Sequence, residues 1–117
     1  MTVSMNREGF WTFRYAGNHG SGYGMFALET GIIVGADVMG GTWDGTYEIV
    51  DKHFHLDLAV TFPPGTTDVI TGATSTTEHT ERLTLALPND FEERDITVQT
   101  SRGPLAVNCR KIRGWPD

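Results

Sequence analysis

The sequence predicts an all-β fold, a single eight-stranded antiparallel up-and-down barrel of the lipocalin-like kind. Three observations carry that expectation. Apolar and polar residues alternate with a period of two along most of the chain, turn residues interrupt the alternation about every ten residues, and no segment shows a long helical period. The 117 residues, 1–117, suit one domain and one core. Closing the sheet on itself removes exposed strand edges, and the 14 glycines supply turns and curvature for it. A two-sheet sandwich is the alternative arrangement of the same strands.

The elements follow in order. Met1 to Glu8 carries no apolar run and is expected to be a flexible N-terminus, neither a secretory signal nor a membrane span. Phe10 to Tyr15 alternates Trp11, Phe13 and Tyr15 against Thr12 and Arg14 as a first strand, and Ala16 to Gly22 reads as a flexible glycine-rich loop. Tyr23 to Leu28 and Ile32 to Val38 flank Glu29-Thr30-Gly31 as a hairpin. Thr42 to Val50 and His53 to Phe62 form a second hairpin about Asp51-Lys52. In its second strand Phe54, Leu56, Leu58, Val60 and Phe62 share one face, the core face, while His53, His55, Asp57, Ala59 and Thr61 share the other.

Pro63-Pro64-Gly65 ends that strand, because proline cannot donate to a ladder and glycine turns the chain. Asp68 to Gly72 is expected to add a short strand. Thr76 to Leu87 is another half-buried strand, with Leu83, Leu85 and Leu87 inward. Asn89 to Asp95 is expected to make one helical turn capped by Asn89 or Asp90. Asp95 to Thr100 and Leu105 to Ile112 form a third hairpin around Ser101-Arg102-Gly103-Pro104, with Leu105, Val107 and Cys109 inward.

Charge and cysteine usage narrow the function. A net charge of −6, with the cations scattered except for Arg110, Lys111 and Arg113, is a poor footprint for nucleic acid, which needs clustered cations. The lone Cys109 makes no internal disulfide and agrees with a reducing, cytoplasmic setting.

No constellation for catalysis is legible. Ser21, Ser75 and Ser101 lack a nucleophile-elbow context, Cys109 alternates with apolar residues, and Gly17-x-x-Gly20-x-Gly22 lacks the helix and lysine of a phosphate loop. His53 and His55, with Asp57 beside them, project from one strand face and offer at most two metal ligands. Further ligands would have to come from His79, Glu78 or Asp44. The expectation is therefore no enzyme, no metal and no cofactor. Glycines 22, 24, 31 and 45 read as curvature, turn and close-crossing positions, and Asp37 as the acceptor of an Asx turn.

The segments Gly9-Phe10-Trp11-Thr12-Phe13, Gly22-Tyr23-Gly24-Met25, Gly31-Ile32-Ile33-Val34-Gly35-Ala36-Asp37 and Trp43-Asp44-Gly45-Thr46-Tyr47 resemble, in order and spacing, the GrlR-like family of small bacterial proteins. That family is named for a negative regulator of type III secretion gene expression. The resemblance covers roughly the first half of the chain and implies a lipocalin-like barrel, a homodimer, and a regulator that holds a transcriptional activator. The family regulator's acidic Glu-Asp-Glu-Asp run is replaced here by Ile49-Val50-Asp51-Lys52, where only Asp51 matches, so its activator contact does not carry over.

The function expected is that of a non-catalytic regulatory or adaptor protein that binds a protein partner in a bacterial cytoplasm, without nucleic acid or membrane. Trp11, Trp43, Tyr47 and Asp51 are its candidate partner or dimer contacts, since aromatics are enriched at interfaces. The alternative is a carrier or sensor for a small apolar ligand held in the barrel. In that case His53, His55 and Asp57 would orient the ligand if their face lined the lumen.

Overall fold

Burial alternates along the chain as the period-two pattern requires. The computed structural model describes residues 7–116. Strand β1 (Gly9–Gly17) buries Trp11, Phe13 and Tyr15, and it is followed by β2 (Gly20–Glu29), β3 (Ile32–Asp37), β4 (Thr42–Val50), β5 (His53–Phe62), β6 (His79–Pro88), β7 (Ile96–Thr100) and β8 (Gly103–Arg113). They form one antiparallel sheet in the order β6-β5-β4-β3-β2-β1-β8-β7, an up-and-down barrel that nearly closes where β6 and β7 approach each other. The sandwich alternative is excluded by this single continuous ladder.

Register fixes what faces inward. Phe54, Leu56 and Leu58 of β5 lie opposite Leu87, Leu85 and Leu83 of β6, and Trp11 of β1 lies opposite Phe26 of β2. Paired residues share a face, so all of these enter one core. Both barrel ends are plugged. At one end Phe91 stacks between Trp11 and Phe54, with ring centroids 5.4 and 4.9 Å away. At the other end the segment 63–78 folds across the opening and inserts Ile70. Asp68 holds this lid: one carboxylate oxygen accepts the Ile70 N–H at 2.8 Å, and the other accepts Arg102 Nε–H at 2.9 Å.

Four local expectations are corrected. Ala16 to Gly22 is not a loop, because β1 and β2 pair down to Gly17 and Gly20 and leave only Asn18-His19 as the turn. Glycine serves clearance here rather than disorder: the Tyr15 ring lies over Gly22 where a side chain would stand. Asp68 to Gly72 is turn, with a single bridge between Thr67 and Thr74 nearby, since the Asp68 side chain ties up the backbone. Asn89 to Asp95 holds no helical turn, because burying Phe91 and bridging Glu92 to Cys109 pull the chain extended, with Glu93 at φ 59°. The strand expected from Thr76 starts at His79.

Of the N-terminal segment 1–8, residues 1–6 lie outside the described residues. Arg7 and Glu8 are anchored. The Arg7 guanidinium donates to the Asn89 side-chain oxygen at 2.9 Å and to its carbonyl, and sits 5.1 Å over the Phe91 ring. The Glu8 carboxylate accepts the Thr30 N–H at 2.8 Å.

Candidate functional site

The residues expected to meet a partner divide between inside and outside. Trp11 is fully buried among Phe26, Phe91 and the surrounding core, with its indole N–H donated to the Arg7 carbonyl, so it offers no surface and is withdrawn as a contact. Its ring is part of the barrel's filling. Trp43 is half-buried against Phe13 and Tyr15. Tyr47 is half-buried against Phe54, and burial raises its phenol above the ordinary range. Asp51 is exposed at the β4–β5 turn with φ 51°.

His53, His55 and Asp57 stand on the outer face of β5, opposite Val50, Glu48 and Thr46. The phenylalanine and leucine face lines the interior instead, so the three polar residues do not orient a ligand there. His53 and His55 have ring centroids 6.2 Å apart, and no group of three metal-ligating side chains is assembled among the described residues.

The interior itself is nearly full. The space left between Phe13, Phe26, Phe54 and Leu85 is about 40 Å³, and a second void under the lid, near Tyr15, Asp37 and Trp43, is about 30 Å³. Each is on the scale of roughly one water molecule. The groups around them are chemically quiet. Cys109 is buried in β8, and burial pushes its thiol up to about 12. Burial, followed by the neighbouring Asp37 carboxylate, raises the Tyr15 phenol well above its usual value. Asp37 is the Asx acceptor expected: its Oδ1 takes the N–H groups of Met39 and Gly41, each at 2.9 Å.

The outer wall of β2 and β3 carries what the sequence reading missed. Tyr23, Met25, Ile32, Val34 and Val38 are between 47% and 60% exposed, side by side on two paired strands, with Ala27 and Ala36 between them. Single exposed apolar residues are ordinary; a contiguous apolar stripe is a mark of an interaction surface. A shallow groove of about 680 Å³ runs over its upper part between Thr12, Arg14, Met25 and Val38. Beyond its lower part, Trp115 packs on Phe10 with ring centroids 4.5 Å apart and donates its indole N–H to the Leu28 carbonyl at 2.8 Å.

A signal for this surface exists in the sequence. Met25-Phe26-Ala27-Leu28 and Ile32-Ile33-Val34 are unbroken apolar runs, and a strand with one buried face should alternate. In a single-layer barrel such runs leave apolar side chains outside.

No family model, curated protein or solved structure matches the chain.

Proposed function

We propose that this chain is a non-catalytic protein-binding barrel of the regulatory or adaptor kind, and that it engages its partner through the outer wall of β2 and β3. One contrast carries the reading: the interior is packed with its own side chains, while Tyr23, Met25, Ile32, Val34 and Val38 stand uncovered on the outside. Apolar area of this kind costs free energy in water at roughly 25 cal/mol per Å², which a partner's cover would recover. The resemblance to GrlR-like regulators supports the same class of function, and the lone Cys109, free of a disulfide, agrees with a cytoplasmic setting.

The carrier reading requires a lumen. Voids of about 40 and 30 Å³ behind Phe91 and Ile70 weigh against it, because drug-sized ligands need sites of roughly 300 Å³ or more. Affinity capture from lysate of the source organism tests the proposal, with the wild type compared against Val34→Glu. A discrete protein retained by the wild type and lost by the variant is expected. Capture indifferent to Val34, or a small molecule retained by the barrel in native mass spectrometry, would contradict it.

A further inference from the structure

Charge sorts across the strands on the outer wall of β2 and β3. On its β1 side Arg14 stands directly opposite Tyr23 in the ladder, and one strand further out Arg110 of β8 lies opposite Thr12. On its β4 side Asp44 stands directly opposite Val34, and Glu48 shares the outer face of the same strand. All four are exposed, and none makes an ion pair among the described residues. The Asp95 carboxylate, near Arg14, accepts the Asn108 side-chain amide at 2.8 Å. The apolar stripe therefore runs between a basic flank and an acidic flank whose charges are unmatched.

Shape narrows the occupant. Strand β2 is paired with β1 and β3, and β3 with β2 and β4, so the wall has no open edge for an added strand. A partner meets it through side chains alone. The stripe is two strands wide, roughly 10 Å, and from Ile32 to Val38 it is roughly 20 Å long. Those are the width of one α-helix and the length of about 13 of its residues. We propose that this wall receives an amphipathic helix of another protein, with its apolar face on Met25, Val34 and Val38. Its carboxylates lie along one side, over Arg14 and Arg110, and its Lys or Arg side chains along the other, over Asp44 and Glu48. A second copy does not supply such an element, because the described residues contain no helix. The proposal rests on the reading of this wall as the binding surface and names the partner's chemistry. Burial of the apolar faces gives the affinity, and the two charged rows fix which way the helix runs, as rim charges do at interfaces.

Three synthetic stapled helices of about 15 residues, sharing one leucine stripe, test it. The first flanks the stripe with Glu on one side and Lys on the other, the second with Glu on both sides, the third with Lys on both. Fluorescence anisotropy in low salt is expected to show the first binding the wild type about tenfold more tightly than the others, because each of those sets like charges together on one flank. Arg14→Glu/Arg110→Glu makes both flanks acidic and is expected to prefer the third peptide. Asp44→Lys/Glu48→Lys makes both basic and is expected to prefer the second, and high salt should level these preferences. Val34→Glu, a change at an exposed position, is expected to lose all three. Equal affinity of the wild type for the three, preferences that the flank variants leave unchanged, binding that Val34→Glu leaves intact, or no binding at all would overturn the helix and its charge pattern. Should partner capture still depend on Val34 in that event, the binding-surface reading stands without the helix. Capture indifferent to Val34 would remove both.

Discussion

Asp37 anchors Trp43: its Oδ2 accepts the indole Nε1–H at 2.9 Å, while its Oδ1 accepts two backbone N–H groups from the β3–β4 connection. The carboxylate thus joins a turn to the aromatic cluster of Phe13, Tyr15 and Trp43 near the lid end of the barrel. Asp37→Ala leaves three donors without their acceptor in a buried place. It is expected to destabilise the fold by about 2–4 kcal/mol, with a change in tryptophan fluorescence, whereas Asp37→Asn loses less because it keeps one acceptor. Chemical denaturation of the three proteins checks this, and equal stability of Asp37→Ala and wild type would show that the bonds contribute nothing.

Strand β5 separates core from surface residue by residue. Leu56→Ala empties an inward position between Tyr47 and Leu85 and should cost about 2–5 kcal/mol. His55→Ala on the outer wall should stay within about 0.5 kcal/mol. Similar losses for the two would mean that the face assignment is wrong.

Backbone crowding predicts a third pair. A Cβ at Gly45 would collide with the Asp57 carbonyl across the β4–β5 ladder, while one at Gly114 meets nothing within 4 Å. Gly45→Ala should therefore destabilise by about 1–3 kcal/mol, the range for forced overpacking, and Gly114→Ala should be close to neutral. Thermal melts of both variants give the comparison.

Alkaline pH should weaken the fold in a defined way. The Tyr15 phenol is raised above its ordinary 10.0 and the Cys109 thiol from 9.0 to about 12, so the native state holds both protons at pH values where the unfolded chain releases them. Stability from these groups is full below about pH 9 and falls as pH rises through that range, because the native state then binds more protons than the unfolded one. Denaturation midpoints measured between about pH 8 and about pH 11 should decline in the wild type and decline less in Tyr15→Phe. An identical decline in the variant would place the cause elsewhere.

Most of the strand framework was legible because burial on one face writes itself into the sequence, as in Phe54 to Phe62, and because Asp37 sits where an Asx turn needs it. Positions governed by distant contacts were not. Glycine at 22 signals a loop locally but makes room for Tyr15, and Phe91 overrides the helical tendency of its neighbours by plugging the barrel. Trp11 was misplaced among the candidate contacts for a related reason. Trp11 is large enough to suggest an interface, yet this barrel uses its ring as filling, because the direction the ring turns is set by contacts distant in sequence with Phe26 and Phe91. The informative residues were less conspicuous: Met25 and Val34 lie in apolar runs that break the alternation seen in strands such as β5.

Photo-cross-linking tests the binding surface most directly. A photoreactive amino acid placed at Met25 lies in the uncovered stripe, and one placed at Thr84 of β6, which pairs with Asp57 on the outer face, lies on the far polar wall. A discrete protein adduct is expected from position 25, either to a second copy or to another protein, and none from position 84. Adducts from position 84 alone, or from neither position, would contradict the claim that the β2–β3 wall is where this barrel binds.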